Sequence, residues 1–304
     1  MPGASPAIAA APPPDLDLSW LPHDPASSEL NYRSMLAELH DPEGHDIAFR
    51  IELVTQVARA EAAQGKHTEA LATLEAASKL LASSAPAAPV RARIRLLLEE
   101  GRLSALQRTP SRARTHFSKA WELAVSSGDD FFVVEVARAM AEIEPLKMQE
   151  VWIRKAIEVA AGSKQSKARL WLGELYEELG WRLFDLRQFE ASLAAHQNSL
   201  ASHQARESRE GTLRASLGVA RLFRQLRRIP EALSWNEAVL LEIPGTGHLY
   251  GQFCEEVAEC LLAAKGPAAA QAHFARAYHE LSRSSANSRP PPGLKRLKQL
   301  GKVE

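Results

Sequence analysis

Little in this 304-residue chain is equipped for covalent or redox chemistry. Its two cysteines, Cys254 and Cys260, are too few for a disulfide framework and suit a reducing compartment. They lack metal-ligand spacing, and Cys254 falls on an apolar stripe with Val257, Ala258 and Leu261, so packing is their expected role. An excess of either charge is also missing. Lys plus Arg and Asp plus Glu are each 37, which argues against a dedicated nucleic-acid or membrane-surface binder. No apolar run approaches the ~18 residues of a membrane span. The chain has no lysine or arginine before Arg33, so the opening stretch MPGASPAIAAAPPPDLDL indicates neither a secretory signal nor a mitochondrial presequence. The cytoplasm is then the default expectation, with nuclear entry left open.

Catalytic signatures are absent as well. GxxxxGK[ST], GxSxG and HExxH do not occur. The glycine-rich loop Gly245–Gly251 follows a helical pattern rather than a strand, so it reads as a turn and not as a dinucleotide loop. His196 and His203 could share a helix face, but no third ligand is evident. His196 also occupies the slot held elsewhere by Leu74, Phe117, Ile153 and Phe274, so a hydrogen-bonded inter-helix histidine is expected. The expectation is a protein without enzymatic activity, cofactor or metal. Strand patterns are missing too, whereas the helix formers Ala, Leu, Glu, Arg and Gln dominate.

What the chain does have is a spacing rule. Six times a small residue is followed twelve places later by a second and seven after that by a third. The triplets are Ala58/Ala70/Ala77, Gly101/Ala113/Ala120, Ala137/Gln149/Ala156, Gly180/Ser192/Ser199, Ala220/Ala232/Val239 and Ala258/Ala270/Ala277, with Gln149 and Val239 the exceptions. Small residues at fixed offsets let two antiparallel helices approach closely, so each triplet predicts a helical hairpin. Repeated at this period, hairpins stack into a solenoid. Phe117, Ala120, Trp121 and Ala124 lie at helical spacing in one second helix, as do Phe274, Ala277, Tyr278 and Leu281 in another.

The segments LYEELGWRLFDLRQFEASLAAHQNSL, AAQGKHTEALATLEAASKLL and AAKGPAAAQAHFARAYHEL resemble tetratricopeptide (TPR) repeats, with the motif's small and aromatic positions at Gly180, Ala70, Phe117 and Ala277. The first-helix anchors are 36–43 residues apart, longer than the usual ~34 of that family. The resemblance implies an all-α, right-handed superhelix of about six hairpins. Residues 46–284 would form the repeats, the third degenerate. Residues 1–25 read as a disordered Pro/Ala-rich tail, 26–41 as an N-terminal capping helix, and 285–304 as a loop and basic capping helix in which Leu294, Leu297 and Leu300 cover the last hairpin.

The resemblance also implies a protein-interaction scaffold whose concave groove is lined from the first helices. The residue after each first-helix anchor is Arg59, Arg102, Arg138, Trp181, Arg221 and Glu259. Helical periodicity adds Arg95, Arg214, Arg224 and Phe184 to that face, with the short Ala62, Ala105 and Ala141 leaving space in the first half. The candidate groove set is therefore Arg59, Arg102, Arg138, Trp181, Phe184, Arg214, Arg221 and Arg224. Guanidinium forks suit a peptide carrying Asp, Glu or a free C-terminal carboxylate. The competing reading is internal pairing, for example of Arg221 with Glu259 or Glu177. RNA binding by helical repeats is a further alternative, disfavoured by zero net charge and by Glu174, Glu177, Glu255 and Glu259 on the same face.

Overall fold

The computed structural model describes residues 14–17, 19–39, 47–84, 89–284 and 293–303. The expectations placed on residues 1–13, Asp41-Pro42, Ala85-Pro86 and the stretch from Ala286 to 292 lie outside the described residues. Every regular element among the described residues is a helix. None is long and apolar enough to cross a membrane. The chain divides into two compact units between Ile143 and Glu144.

Unit 1 holds α1 (Pro25–Glu38), α2 (Ile47–Ala63), α3 (His67–Ser83), α4 (Val90–Leu106), α5 (Pro110–Ser127) and α6 (Asp130–Ile143). Consecutive helices pack as hairpins, α2 on α3 and α4 on α5, while α4 also lies on α2 and α6 on α5. Helix α1 starts where Asp24 accepts a bond from the Ser27 N–H at 3.1 Å and Pro25 presets the first turn. Unit 2 holds α7 (Leu146–Gly162), the short α8 (Ser166–Arg169), α9 (Leu172–Asp185), α10 (Phe189–Ala205), α11 (Arg209–Gln225), α12 (Ile229–Glu242), α13 (His248–Lys265), α14 (Pro267–Ser284) and α15 (Leu294–Gly301). Here α9/α10, α11/α12 and α13/α14 are the hairpins, and α7 packs on α9. These are the helical hairpins that the spacing rule predicts, and they agree with the TPR-like fold that the resemblance implies.

The physical basis of the rule is visible at each slot. All the small residues of the six triplets are buried, and the exceptions Gln149 and Val239 are half-buried. A ring on the second helix needs glycine rather than alanine opposite it. A Cβ on Gly101 would fall 2.9 Å or less from three atoms of the Phe117 ring. Where the facing side chain is the aliphatic Leu74, Ala58 suffices. The second-helix serines of the fourth hairpin add hydrogen bonds: Ser192 Oγ donates to the Gly180 carbonyl at 2.7 Å, and Ser199 Oγ to the Gly173 carbonyl at 2.8 Å. Gln149, out of pattern, turns its amide to the Glu144 carbonyl at 2.8 Å.

Helix α15 sets Leu294, Leu297 and Leu300 against the cluster of Ala258, Ala270, Phe274 and Ala277. Its fit is close at Gly301, where an added Cβ would lie 2.6 Å from the Ala275 nitrogen and 2.7 Å from its Cα. Backbone atoms cannot rotate away. Gly301→Ala is therefore expected to lift α15 off its seat at a cost of about 1–3 kcal/mol, seen as faster hydrogen exchange across α15 and α14.

One expectation is corrected. The described part of the supposed tail, residues 14–17 and 19–24, is folded onto unit 1. Leu16 is buried, its carbonyl accepts the Tyr32 hydroxyl at 2.9 Å, and Asp17 grips Arg95 with both carboxylate oxygens at 2.9 and 3.2 Å. Proline content suggested an unbound segment. The acidic and apolar residues within it find partners on α1, α2 and α4 that lie far away in sequence.

Candidate peptide-binding site

In unit 1 the ladder arginines come from α2, α4 and α6, and their surroundings differ sharply. Arg102 bonds Glu99 at 2.5 Å, three residues earlier on its own helix, and Glu135 at 2.7 Å on α6. Burial opposes the Arg102 charge, but these two carboxylates overcome it and raise its pKa. Arg138 repeats the first contact, reaching Glu135 at 3.6 Å. Both arginines are thus held by an acid three places back, an internal pairing that the helix repeat makes local.

At Arg59 the residue three places back is Gln56. The Gln56 amide oxygen accepts one long hydrogen bond at 3.4 Å, and no ion pair forms on Arg59 among the described residues. Its guanidinium lies instead over the Trp20 ring, 4.4 Å from the centroid. Burial, and then the neighbouring Arg102 charge, lower its pKa. Arg59 and Trp20 line a cavity of about 670 Å³ whose floor is Ala58, Ala62, Ala63, Leu103 and Ala105, with Arg102, Glu99 and Glu142 at its sides. Ala62 and Ala105 line this space beside the arginines, whereas Ala141 does not.

In unit 2 the basic stripe is consumed internally. Arg214 bonds Glu177 at 3.3 Å and Glu210 at 2.9 Å. Arg221 and Arg224 converge on Glu256 at 2.8 and 2.7 Å, and that carboxylate is only 2% exposed. Burial would raise the Glu256 pKa; the two guanidinium groups more than reverse this and lower it. These arginines pair internally, with Arg221 on Glu256 rather than on Glu259 or Glu177. Glu259 is engaged by Arg296 of α15 instead. Trp181 packs edge-on against Phe184 (5.8 Å between centroids), with Arg221 above it at 5.5 Å. A cavity of about 650 Å³ lined by Trp181, Arg214, Arg221, Leu217 and Tyr250 lies alongside, its cations already matched.

The histidines need a second correction. His196 and His203 are inter-helix residues as expected, yet neither ring nitrogen of either has a hydrogen-bond partner among the described residues. Each imidazole fills a slot between two glycines. His196 sits between Gly180 of α9 and Gly218 of α11, and His203 between Gly173 and Gly211 of the same two helices. Burial, reinforced by Arg221, holds the His196 pKa down at about 4. Burial also lowers that of His203.

Sequence reasoning missed Asp17, Trp20, Tyr32 and Glu256. The acids at Glu99 and Glu135 could have been found from their position three before each arginine, and the same offset would have singled out Arg59 through Gln56.

Comparison with known proteins supports the fold. No known protein family matches the chain, and no curated protein does. Among solved structures, a signal-transduction ATPase with numerous domains that carries a tetratricopeptide repeat sensor, from Pyrococcus horikoshii, aligns with a TM-score of 0.66 at 13% identity, covering 92% of this chain and 41% of that one. The Cut9-Hcn1 hetero-tetramer of the APC/C aligns with a TM-score of 0.55 at 15% identity, covering 93% and 48%. This chain thus spans less than half the length of either. The shared property is a TPR-like fold.

Proposed function

We propose that the chain is a non-enzymatic protein-interaction module that takes an acidic peptide segment on the α2/α4 face of unit 1. The observation that supports this is Arg59, a half-buried cation without a carboxylate partner among the described residues, facing a cavity floored by alanines and leucine. A half-buried guanidinium with no carboxylate in contact feels Glu99 and Glu135 only through longer-range charge, and a ligand carboxylate supplies a direct partner. Apolar groups beside the acid pack on the floor. Phosphate-rich partners fit less well, because Glu99 and Glu142 border the same cavity. The arginines of the second unit, neutralised by their own glutamates, are assigned to structure rather than to binding.

The experiment is calorimetric titration of the full chain with hexapeptides carrying one Asp, one Glu or only a free C-terminal carboxylate. Charge-assisted hydrogen bonds contribute roughly 1.5–3 kcal/mol, so Arg59→Gln should weaken binding at least tenfold. The helical melt should be nearly unchanged, since no ion pair is lost. Equal affinity of both proteins for every acidic peptide would refute the assignment.

A further inference from the structure

We propose that Leu16, Asp17 and Trp20, near the N-terminal end of unit 1, form a built-in wall of this site, with Trp20 as its positioning and selectivity residue. The inference rests on the reading of Arg59 above. Three contacts fix the segment to unit 1: the two-oxygen grip of Asp17 on Arg95, the burial of Leu16, and the hydrogen bond from Tyr32 to the Leu16 carbonyl. Arg95 is itself 3% exposed and also bonds Glu52 at 3.0 Å, so the grip is anchored in the protein interior. A segment without regular secondary structure is thereby held by side chains at one acidic and one apolar point. Three residues after Asp17, Trp20 lies against Arg59.

The ring then does two things. It covers one face of the Arg59 guanidinium at 4.4 Å, which restrains the fork without using any of its N–H groups. It also forms part of the cavity lining. The cavity exists with Trp20 in place, so a ligand seats beside the ring without displacing it. A carboxylate meeting the N–H edge of Arg59 then brings its neighbouring groups against indole on one side and Leu103 and the alanines on the other. The fitting partner is a segment with an aliphatic residue adjoining an acidic one. A restrained, partly desolvated fork loses little freedom on binding, which favours affinity. Selection for an apolar neighbour follows from the ring.

The test uses the full chain and the probe N-acetyl-Leu-Glu, followed by the NMR signals of the Arg59 Nε–H and Trp20 indole. Saturable shifts of both signals are expected in the wild type. Trp20→Ala should weaken binding about tenfold, and Asp17→Asn, which loosens the grip on Arg95, should weaken it several-fold. N-acetyl-Gly-Glu should bind the wild type more weakly than the leucyl probe and bind Trp20→Ala about as well as that probe does. Trp20→Phe keeps a ring in place and should retain most of the affinity, which guards against loss of folding in the alanine variant. If Arg59→Gln abolishes binding while Trp20 and Asp17 variants bind like wild type, the wall is refuted and the Arg59 reading stands. If no protein binds either probe, the Arg59 reading itself falls. Tighter binding by Asp17→Asn would make the segment a competitor of the ligand and overturn the proposal.

Discussion

The double variant Arg221→Ala, Arg224→Ala is expected to melt well below the wild type while keeping any ligand of unit 1. Both guanidinium groups end on Glu256, a carboxylate at 2% exposure with no other ion pair among the described residues. Removing them leaves a buried charge uncompensated, which typically costs about 3–5 kcal/mol. Glu256 cannot escape the cost by turning to water, and it must instead take a proton. The loss should therefore be smaller at acid pH, where protonation is cheap, and largest near neutrality. A third change, Glu256→Gln, removes the orphaned charge and should restore much of the stability. Chemical denaturation of the three proteins at pH 7 measures the effect. A double variant as stable as the wild type would show that the Glu256 cluster contributes nothing to the fold.

Acidification of the wild type gives the second large effect. An unfolded histidine takes up its proton near pH 6.5, whereas folded His196 does so only at about pH 4. Between those values the unfolded chain binds more protons, so the contribution is complete above pH 6.5 and falls as pH drops toward 4. At 1.36 kcal/mol per pH unit, His196 alone accounts for roughly 3 kcal/mol. His203 shifts in the same direction through burial, with Glu174 on α9 opposing and Arg214 and Arg206 reinforcing. Glu177 and Glu255, whose pKa values burial raises, act oppositely, since acid favours their folded forms. His196→Phe isolates the imidazole, because the glycine-flanked slot already has a phenyl counterpart at Gly101 and Phe117. Stability of this variant should fall less steeply from pH 7 to 5 than that of the wild type, with His203 still contributing to the decline. Parallel curves for the two proteins would refute the assignment.

The hairpins were legible because their cause is local and periodic. A backbone contact between two helices demands a small residue wherever it occurs, and only Gln149 and Val239 depart from that demand. The positions of the arginines followed from the same period. Their partners did not. Arg221 reaches Glu256, while Glu259 is engaged by Arg296, 75 residues beyond Arg221 in the chain. No pattern within one helix can state which of two acids a cation will win. The role of Arg59 could have been read locally, since Gln56 of α2 stands where Glu99 stands in α4 and Glu135 in α6. Trp20 and Asp17 could not, because a short acidic and aromatic segment after a proline run acquires meaning only from the surface it meets.

The histidine slots bear on how this sequence can change over time. With His196 in place, Gly180 and Gly218 cannot gain a methyl group, as an added Cβ on Gly180 would lie 2.6 Å from two atoms of the ring. Shrinking the histidine first would empty a fully buried site, a change that commonly costs 2 kcal/mol or more. Each order of single steps crosses a less stable intermediate. The same holds for His203 with Gly173 and Gly211. The four glycines and two histidines are therefore inherited as interlocked sets, and a lineage that loses one member must revise its companions or forfeit the hairpin.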